Sequence, residues 1–249
     1  MKIVVDIGIQ LISPRRSFAL EAKFAAADER IVIFGPSGAG KSLTMQMIAG
    51  LQRPDRGRIE LDGRVLFDAA AGINVPARER GVGLVFQDYA LFPHLTVEEN
   101  VAFPLRGVLP LRLPDAERRK IEDMLELFEL TPLARSLPRD LSGGQRQRVA
   151  LARTLVCEPR VMLLDEPFAA LDSMLRNRVR YELLQMQQRF KVPMVIITHD
   201  FEDVKTFADT LVIYLTGRIG CVIPIKETAM RRGEDNAWEE VYAACGMMQ

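Results

Sequence analysis

The chain has 249 residues, 48% of them hydrophobic, which suits one large domain or a core domain with a subdomain. Its 33 basic and 33 acidic residues cancel, so the charge favours neither nucleic-acid binding nor attachment to a membrane surface. The N-terminus is too short and polar for a signal peptide, and no apolar run approaches the roughly 18 residues of a spanning helix. The three widely spaced cysteines are consistent with a reducing compartment. We therefore expect a soluble protein whose membrane role, if any, comes through a partner.

The chain begins with segments that alternate apolar and polar residues. The stretches KIVVDIGIQL and SFALEAKF predict antiparallel strands within the first 30 residues. The stretch RGRIELDGRVLF predicts a hairpin of the same sheet that turns near Asp62 and Gly63. Four later runs, IVIF, GVGLVF, RVMLL and PMVIIT, are continuously apolar, as in a parallel sheet covered by helices on both faces.

The first of these apolar runs continues into a glycine-rich loop, IVIFGPSGAGKS, at residues 31–42. The loop fits the P-loop pattern, whose backbone N–H groups cradle phosphate oxygens. Lys41 supplies a charge for the β- and γ-phosphates, Ser42 offers a hydroxyl to Mg²⁺, and the helix predicted next directs its N-terminal dipole at the phosphates. An ordinary strand-to-helix turn is the alternative, but strand, spacing and helix together predict a nucleoside triphosphate with Mg²⁺. The predicted nucleotide-binding residues are Gly35, Pro36, Ser37, Gly38, Ala39, Gly40, Lys41, Ser42 and Leu43.

Residues 89–150 differ in character from the segments before them. The stretch PDAERRKIEDMLELFEL places Ile121, Met124, Leu125 and Phe128 on one helical stripe, which we interpret as core packing. The segment LSGGQ follows, in which Ser142 is a good N-cap and two glycines expose N–H groups at a helix start. That arrangement predicts a second anion site, although by itself it fits a plain capped helix better.

Two acids end the apolar run RVMLLDEP at residues 160–167. Asp165 occupies the position of a Walker B aspartate, which holds the Mg²⁺ shell. Glu166 follows it and is predicted to be the general base for a water near the γ-phosphate. A solvated acid pair is the alternative, and the P-loop favours the catalytic interpretation.

The remaining chain carries one further candidate residue. The run VIITHD places His199 after another apolar strand. The helix RNRVRYELLQMQQRF is amphipathic, and we expect its arginines to form a solvated face. The tail after about residue 220 predicts one short helix with Trp238 and Tyr242, and no chemistry.

Taken in order, these segments closely resemble the ATP-binding cassette family over roughly residues 1–220. Leu141 and the Ser142, Gly143, Gly144, Gln145 run match its signature, Gln87 in LVFQDYALFPHL its Q-loop, Asp172 in AALD its D-loop, and His199 its switch histidine. The resemblance implies an α/β fold: a P-loop NTPase of cassette type with a mixed β core, an N-terminal antiparallel part and an inserted helical subdomain. The expected divisions are residues 1–88 and 151–220 for the nucleotide-binding core, 89–150 for the helical subdomain and 221–249 for the tail.

The resemblance also implies roles for residues and partners. Glu166, His199 and Gln87 are the implied catalytic residues, and Ser42, Gln87 and Asp165 the implied Mg²⁺ ligands. The active unit is a head-to-tail pair of copies with two ATP molecules between them, in which the signature residues act in trans. Residues near 88–104 resemble the surface of prokaryotic importers that receives transmembrane permease subunits, beside a separate solute-binding protein. The chain would then lie at the cytoplasmic side of the membrane without any contact to nucleic acid.

Substrate and base selectivity are less constrained. The stretch RVLFDAAAGINVPARERGVGLVFQD is most similar to importers of molybdate and related oxyanions. Leu43 replaces the usual threonine, so weaker binding of the α-phosphate is expected. The aromatic residue that stacks on adenine is not evident. Phe18 is a distant candidate for it and is expected in the core, so GTP is a predicted competitor. The alternative functions are an importer of another solute, a cassette ATPase for assembly or nucleic-acid work, and a nucleotide sensor without turnover.

Overall fold

The protein was analysed as a computed structural model, which describes residues 1–13, 16–105, 113–169 and 171–246. Residues 106–112 of the expected helical subdomain, Ala170 of the AALD segment and residues 247–249 of the tail lie outside the described residues.

The described strands form one mixed sheet in the order β6-β5-β4-β1-β2-β11-β10-β3-β9-β8-β7. Their bounds are β1 Ile3–Ser13, β2 Arg16–Ala26, β3 Arg30–Phe34, β4 Arg56–Leu61, β5 Arg64–Asp68, β6 Ile73–Asn74, β7 Val82–Val85, β8 Val161–Asp165, β9 Met194–Thr198, β10 Thr210–Leu215 and β11 Arg218–Ile223.

The α-helices of the described chain follow the strands or lie between them. Their bounds are α1 Lys41–Ala49, α2 Val97–Ala102, α3 Asp115–Leu127, α4 Gly143–Leu155, α5 Ser173–Phe190, α6 Phe201–Phe207, α7 Ile225–Arg232 and α8 Glu234–Gly246.

The antiparallel part of the sheet matches the alternating sequence pattern. β1 and β2 pair along their whole length, from Ile3 opposite Ala26 onward, and β1 also pairs with β4. β4 and β5 form the predicted hairpin, and both turn residues have positive φ, 48° at Asp62 and 79° at Gly63. Positive φ at both central residues is the requirement of the tight hairpin turn that the Asp-Gly pair favours. The N-terminal strands and this hairpin are therefore confirmed.

The parallel part of the sheet brings the functional loops together. β3 lies between β10 and β9, and β8 lies between β9 and β7, all of them parallel. Phe34 is in register with Thr198, Ile197 with Asp165. Because parallel strands end at the same edge of a sheet, the segments that follow β3, β7, β8 and β9 emerge side by side.

The central strands are buried on both faces, and each face has its own hydrophobic core. In β3, Val32 belongs to one core, and Ile31 and Ile33 belong to the other. The first core also contains Val149 of α4, whereas the second contains Met47 of α1. Successive strand residues point to opposite faces, so α1 and α4 pack on opposite faces of the sheet.

The helical stripe of α3 is core packing, as predicted. Ile121, Leu125 and Phe128 are buried, and Met124 packs against the same core with part of its surface exposed.

The prediction of a solvated arginine face on α5 was wrong for two of its arginines. Arg180 is only 7% exposed and Arg176 is half-buried. Both guanidinium groups bind the carboxylate of Asp200 at the start of α6. The periodicity of α5 did not indicate this, because the shared acceptor lies at the start of another helix, 24 residues from Arg176 and 20 from Arg180.

The tail contains more structure than the predicted single helix. α7 and α8 follow β11, and β11 itself runs past the expected boundary at 220 to Ile223. The rings of Trp238 and Tyr242 contact Phe201 at centroid distances of 6.2 and 5.2 Å. Phe201 in turn meets Phe34, the last residue of β3, at 6.3 Å. The C-terminal helix therefore packs against the residues that flank the functional loops.

Candidate nucleotide-binding site

The loop after β3 has little room for side chains. Gly38 and Gly40 adopt positive φ values of 76° and 103°. A Cβ atom on Gly40 would come within 2.8 Å of Leu20 Cδ1 and 3.2 Å of Phe18 Cζ on β2. Pro36 and Ser37 lie at the exposed rim, whereas Gly35 and Ala39 are buried. The loop thus leads directly into the N-terminus of α1, where backbone N–H groups and the helix dipole favour an anion.

Lys41 places its ammonium group inside this loop. Its side chain is buried, and Nζ donates hydrogen bonds of 2.8 Å to the carbonyl oxygens of Gly35 and Pro36. Burial lowers the pKa of Lys41, while the nearby carboxylates of Glu166 and Asp165 act in the opposite direction. The structure therefore puts Lys41 where the sequence predicted a phosphate-binding cation.

Ser42 and Asp165 form an oxygen pair beside that lysine. Ser42 Oγ donates to Asp165 Oδ1 at 2.9 Å, although the two residues are 123 positions apart. Burial raises the pKa of Asp165, the Ser42 hydrogen bond lowers it, and Glu166 raises it further. A hydroxyl and a carboxylate are hard oxygen donors of the kind that Mg²⁺ takes together with substrate phosphates and water. These two residues fit the expected ion.

The hydroxyl-bearing residue expected directly after Ser42 lies one position later, at Thr44, and Leu43 takes its place. Leu43 is half-buried and packs against the core, so the position after Ser42 has no hydroxyl. The hydroxyl lies at Thr44 instead, which donates to Gly40 O at 3.2 Å and accepts from the buried Tyr214 OH at 2.7 Å. Burial raises the pKa of Tyr214 above its usual value. Sequence reasoning missed this pair, because Tyr214 lies 170 residues away.

Glu166 turns out of the sheet directly after β8. Its φ of 46° is rare for a residue with a side chain and carries strain of the kind often found at functional sites. Its N–H donates to Ile197 O at 3.0 Å, which fixes the turn. Glu166 Oε2 lies 3.3 Å from Nδ1 of His199, whose side chain is 60% exposed. The structure thus brings the predicted base and switch histidine together.

Gln87 emerges from the neighbouring strand at the same edge. β7 pairs with β8, and Val85 lies opposite Leu164. Gln87 follows two residues later and is exposed. Its backbone therefore leaves the sheet at the edge where β8 ends, while its side chain has no hydrogen bond to the other predicted site residues in the described chain.

The signature segment forms a different kind of site. Ser142 caps α4 in a reciprocal capping box with Gln145, through contacts of 2.8 and 3.3 Å. Ser142 is exposed, and Gly144 is buried. A Cβ atom on Gly143 would approach Leu171 to 3.2 Å, so the glycine allows α4 to pack tightly on the segment before α5. Because α4 and α1 lie on opposite faces of the sheet, this tip does not face Lys41 of the same chain.

Asp172 has a clear local role. It is the N-cap of α5, and its Oδ1 accepts from the backbone N–H groups of Met174 and Leu175 at 3.1 and 3.0 Å. The side chain is exposed at the surface that Met174 also reaches.

The segment between Gln87 and α2 is held by two residues that sequence reasoning missed. Arg153 of α4 donates to the carbonyl oxygens of Tyr89 and Ala90 at 2.7 and 2.8 Å. The buried Asn100 amide bonds the backbone of Phe92, Leu95 and Thr96. The Phe92 and Phe103 rings lie 4.1 Å apart, and Phe103 is 45% exposed.

Arg80 supports the far end of the P-loop helix. It is 1% exposed, and its guanidinium donates to Met47 O and Ile48 O at the C-terminus of α1, at 2.7 and 2.9 Å. It also donates to Val75 O and to the Asn74 side chain. Burial lowers the pKa of Arg80. In the sequence ARER nothing distinguishes it from solvated arginines.

Within the described chain, no helix combines the length and hydrophobicity needed to span a bilayer.

Comparisons with known proteins agree on one family. The sequence pattern of the ABC transporter family matches residues 23–169. The molybdenum import ATP-binding protein ModC of Rhodospirillum rubrum is 40% identical over 226 residues, which cover 90% of this chain and 60% of that protein. The trehalose/maltose import ATP-binding protein MalK of Thermococcus litoralis is 42% identical over 203 residues, covering 81% and 53%. The chain thus spans little more than half the length of these two relatives.

Solved structures extend the agreement to the fold. A dimeric ATP-binding cassette in a post-hydrolysis state, bound to ADP and Pi, superposes with a TM-score of 0.71 at 27% identity, covering 89% of this chain and 97% of that one. The predicted fold class is confirmed. By sequence pattern, relatives and fold, this chain belongs to the ABC transporter family, of which it is an ATPase domain.

Proposed function

We propose that this chain binds ATP with Mg²⁺ and hydrolyses it to energise a prokaryotic importer. The observation that supports this best is the convergence at one sheet edge of buried Lys41, the Ser42–Asp165 pair and the Glu166–His199 pair. These groups come from the ends of three neighbouring parallel strands. A structural set of charges would not need a strained Glu166 or a buried lysine directed into a glycine loop.

The residues divide the work of phosphoryl transfer. The loop N–H groups and Lys41 bind the phosphates, and Ser42, Asp165 and Gln87 would hold Mg²⁺, which when bound would neutralise phosphate charge. Glu166 accepts a proton from the attacking water, and His199 holds the Glu166 carboxylate in place and approaches the γ-phosphate. Little else is needed, because positioning and charge stabilisation supply most of the catalysis of this reaction.

A second copy of the chain completes each site. The signature tip at Ser142, Gly143, Gly144 and Gln145 lies on the face of the sheet opposite α1, so it serves the P-loop of a partner copy rather than its own. The two copies pair head to tail around two nucleotides, with Asp172 near the interface. The dimeric state of the similar cassette supports this arrangement.

The transport role rests on the relatives and on the segment at residues 88–104. Molybdenum, trehalose/maltose and sulfate/thiosulfate importers are all among the similar proteins. The exposed Phe103 ring on a rigidly bonded segment suits contact with transmembrane permease subunits. Molybdate or a related oxyanion is the proposed cargo, delivered by a separate solute-binding protein, with this chain at the cytoplasmic face of the membrane.

Hydrolysis is tested by phosphate release from the purified chain and from its complex with the permease. We expect release that requires Mg²⁺ and stops with EDTA. Nucleotide binding without turnover, even in the complex, would overturn the ATPase proposal and favour a sensor.

Transport and cargo need separate tests. Affinity capture from detergent-solubilised membranes of the source cells should recover a polytopic membrane protein; consistent absence of one would favour a non-transport ATPase. In the reconstituted complex, molybdate with its binding protein should stimulate hydrolysis more than sulfate, maltose or Fe³⁺. Stimulation by one of those solutes instead would reassign the cargo and leave the ATPase proposal intact.

A further inference from the structure

The half-buried Arg176 of α5 forms hydrogen bonds to two separate loops, the one before α5 that carries Asp172 and the one before α6 that carries His199. Its Nη2 donates to Leu171 O at 3.1 Å, directly before the exposed Asp172. Its Nη1 donates to Asp200 Oδ2 at 3.0 Å, directly after His199. One planar guanidinium therefore fixes the distance between the segment before α5 and the segment before α6.

Asp200 is well suited to transmit a displacement of Arg176. Its carboxylate also accepts from Arg180 Nη2 at 2.6 Å and from the Glu202 N–H at 2.9 Å, and its own N–H donates to Thr198 Oγ1 at 3.0 Å. Burial tends to raise the pKa of Asp200, but the Glu202 N–H and the two arginines lower it below its usual value, so the group stays ionised. The two neighbours of His199 are thus bonded to each other, and the Asp200 carboxylate is bonded to Arg176, Arg180 and the start of α6.

The same arginine borders the catalytic pair. Arg176, Glu166, His199 and Asp200 line one small cavity. Within the described residues, Nε of Arg176 is buried and its N–H group donates no hydrogen bond. A buried unpaired donor is costly, and a small shift of the surrounding loops would change its pairing.

We infer that Arg176 is a positioning residue that couples the loop at Leu171 and Asp172 to the orientation of His199. This rests on the proposed function, and it adds a route by which pairing reaches the catalytic groups. Gly143 of the signature tip packs against Leu171. When a second copy engages the signature tip and Asp172, the displacement of Leu171 passes through Arg176 to Asp200 and His199. Hydrolysis would then depend on closure of the pair.

The first test observes His199 directly and needs no turnover. The chain contains two histidines, His94 and His199, so a sample with ¹³C-labelled histidine has two imidazole signals. Arg176→Met should displace or broaden the His199 signal and leave the His94 signal in place. Arg178→Met is the matched control, since Arg178 lies on the same helix, bonds Glu182 and does not touch Asp200. An unchanged His199 signal in Arg176→Met would overturn the inference.

The second test separates positioning from binding. In Arg176→Met we expect kcat to fall about tenfold, a loss of about 1.4 kcal/mol, while KM and ATP affinity stay within about twofold. Arg176→Lys, which keeps the charge and one hydrogen bond, should recover part of kcat, and Arg178→Met should match the parent. In a His199→Ala background, Arg176→Met should cause no further loss. A full additional tenfold loss there would contradict action through His199.

The outcomes distinguish this inference from the proposed function. A parent chain that never hydrolyses ATP would refute the proposed function. The imidazole spectra would still show whether Arg176 controls the environment of His199. If Arg176→Met unfolds, both histidine signals will collapse together, and Arg176→Gln, which removes the charge but keeps a polar side chain, becomes the decisive variant. Unchanged kcat and an unmoved His199 signal in the folded glutamine variant would refute the coupling.

Discussion

The loop at residues 35–42 and the helix tip at residues 142–145 both present backbone N–H groups at the start of a helix, but their surroundings differ. The loop contains a buried lysine and lies beside two carboxylates. The tip ends in an exposed serine whose capping box satisfies only its own helix. No charged side chain of the chain is bonded to the glycines of the tip in the described structure.

The difference fits the proposed pairing, in which the loop side of one chain holds the nucleotide and the tip of a second copy completes that site. A phosphate group needs a cation and a metal ligand, which the loop side has through Lys41, Ser42 and Asp165. The signature side contributes only hydrogen-bond donors and a small, flat surface. In the proposed pairing, the two glycines and the serine would contact a ligand held by another molecule. The following changes test this contrast, in order of decreasing expected effect.

The largest effect is expected from Glu166→Gln, beside the phosphate loop. The amide keeps the shape but cannot accept a proton from water, and loss of a general base costs about 10²–10⁴-fold in rate. ATP binding should remain, because the phosphate contacts come from the loop and Lys41. Phosphate release and binding of a fluorescent ATP analogue measure the two effects, with the exposed Glu122→Gln as control. Near-normal hydrolysis would remove Glu166 from the catalytic role.

The next effect concerns the half-site. Ser142→Arg places a bulky charge at the tip, and overpacking a closed interface by about 1–3 kcal/mol should reduce hydrolysis about 10- to 100-fold. ATP binding by the single chain should be unaffected. Ser142→Ala removes the cap without adding bulk and is the matched control. Dimer formation is measured by light scattering with ATP, in a Glu166→Gln background that prevents hydrolysis. A dimer of normal stability in Ser142→Arg would show that the tip does not lie in the interface between the two copies.

A stability effect of about 3 kcal/mol is expected from Arg80→Met. The substitution leaves the carbonyl oxygens of Met47 and Ile48 without their charged donor, and hydrogen bonds from charged groups contribute about 1.5–3 kcal/mol each. Urea unfolding measures the loss, and the exposed Arg78→Met serves as control. Unchanged unfolding would mean that water replaces the guanidinium at the end of α1.

A smaller effect of opposite sign is expected from Asp165→Asn. Because the folded-state pKa of Asp165 is raised, its ionisation opposes folding at neutral pH, and this penalty disappears as pH falls through the folded pKa. The amide should therefore make the Mg²⁺-free chain slightly more stable at neutral pH, with a smaller difference in acid. It should also lose the stabilisation that Mg²⁺ and ATP give the parent. Urea unfolding at two pH values decides the sign.

The smallest effect concerns the base. Leu11 and Ile12 at the end of β1 are exposed and aliphatic, and Phe18 packs against the core as predicted. None of these side chains carries a polar group that could distinguish adenine from guanine, so turnover of ATP and GTP should differ by less than about tenfold. Parallel phosphate-release assays measure the ratio. A strong preference for ATP would show that a base-specific contact exists elsewhere.

Much of the fold could be predicted because its signals are local. The Asp62-Gly63 turn, the glycines of the phosphate loop and the alternation in β1 each depend on neighbouring residues. The same holds for Ser142 and Gln145, whose capping box spans three positions. The candidate site residues at the ends of β3, β7, β8 and β9 were also predictable, since a parallel sheet brings such ends together.

Other features depend on residues that meet only in three dimensions. The arginines of α5 look solvated by periodicity, yet Arg176 and Arg180 bind Asp200 on another helix. The tail predicted one short helix with Trp238 and Tyr242, but its sequence did not indicate that both rings contact Phe201. A long charged or aromatic side chain can be satisfied by any partner of suitable chemistry, so its sequence context does not reveal which one it meets.

The sequence by itself determined the family and the strand and helix types, and it predicted which groups bind phosphate, hold the metal and activate water, because spacing within a motif requires few long-range contacts. Only the tertiary structure decided that α1 and α4 lie on opposite faces, that Glu166 turns at positive φ toward His199, and that Arg176 ties the Asp172 loop to Asp200. These depend on the packing of segments far apart in the chain, where side-chain geometry, not pattern, selects the partner.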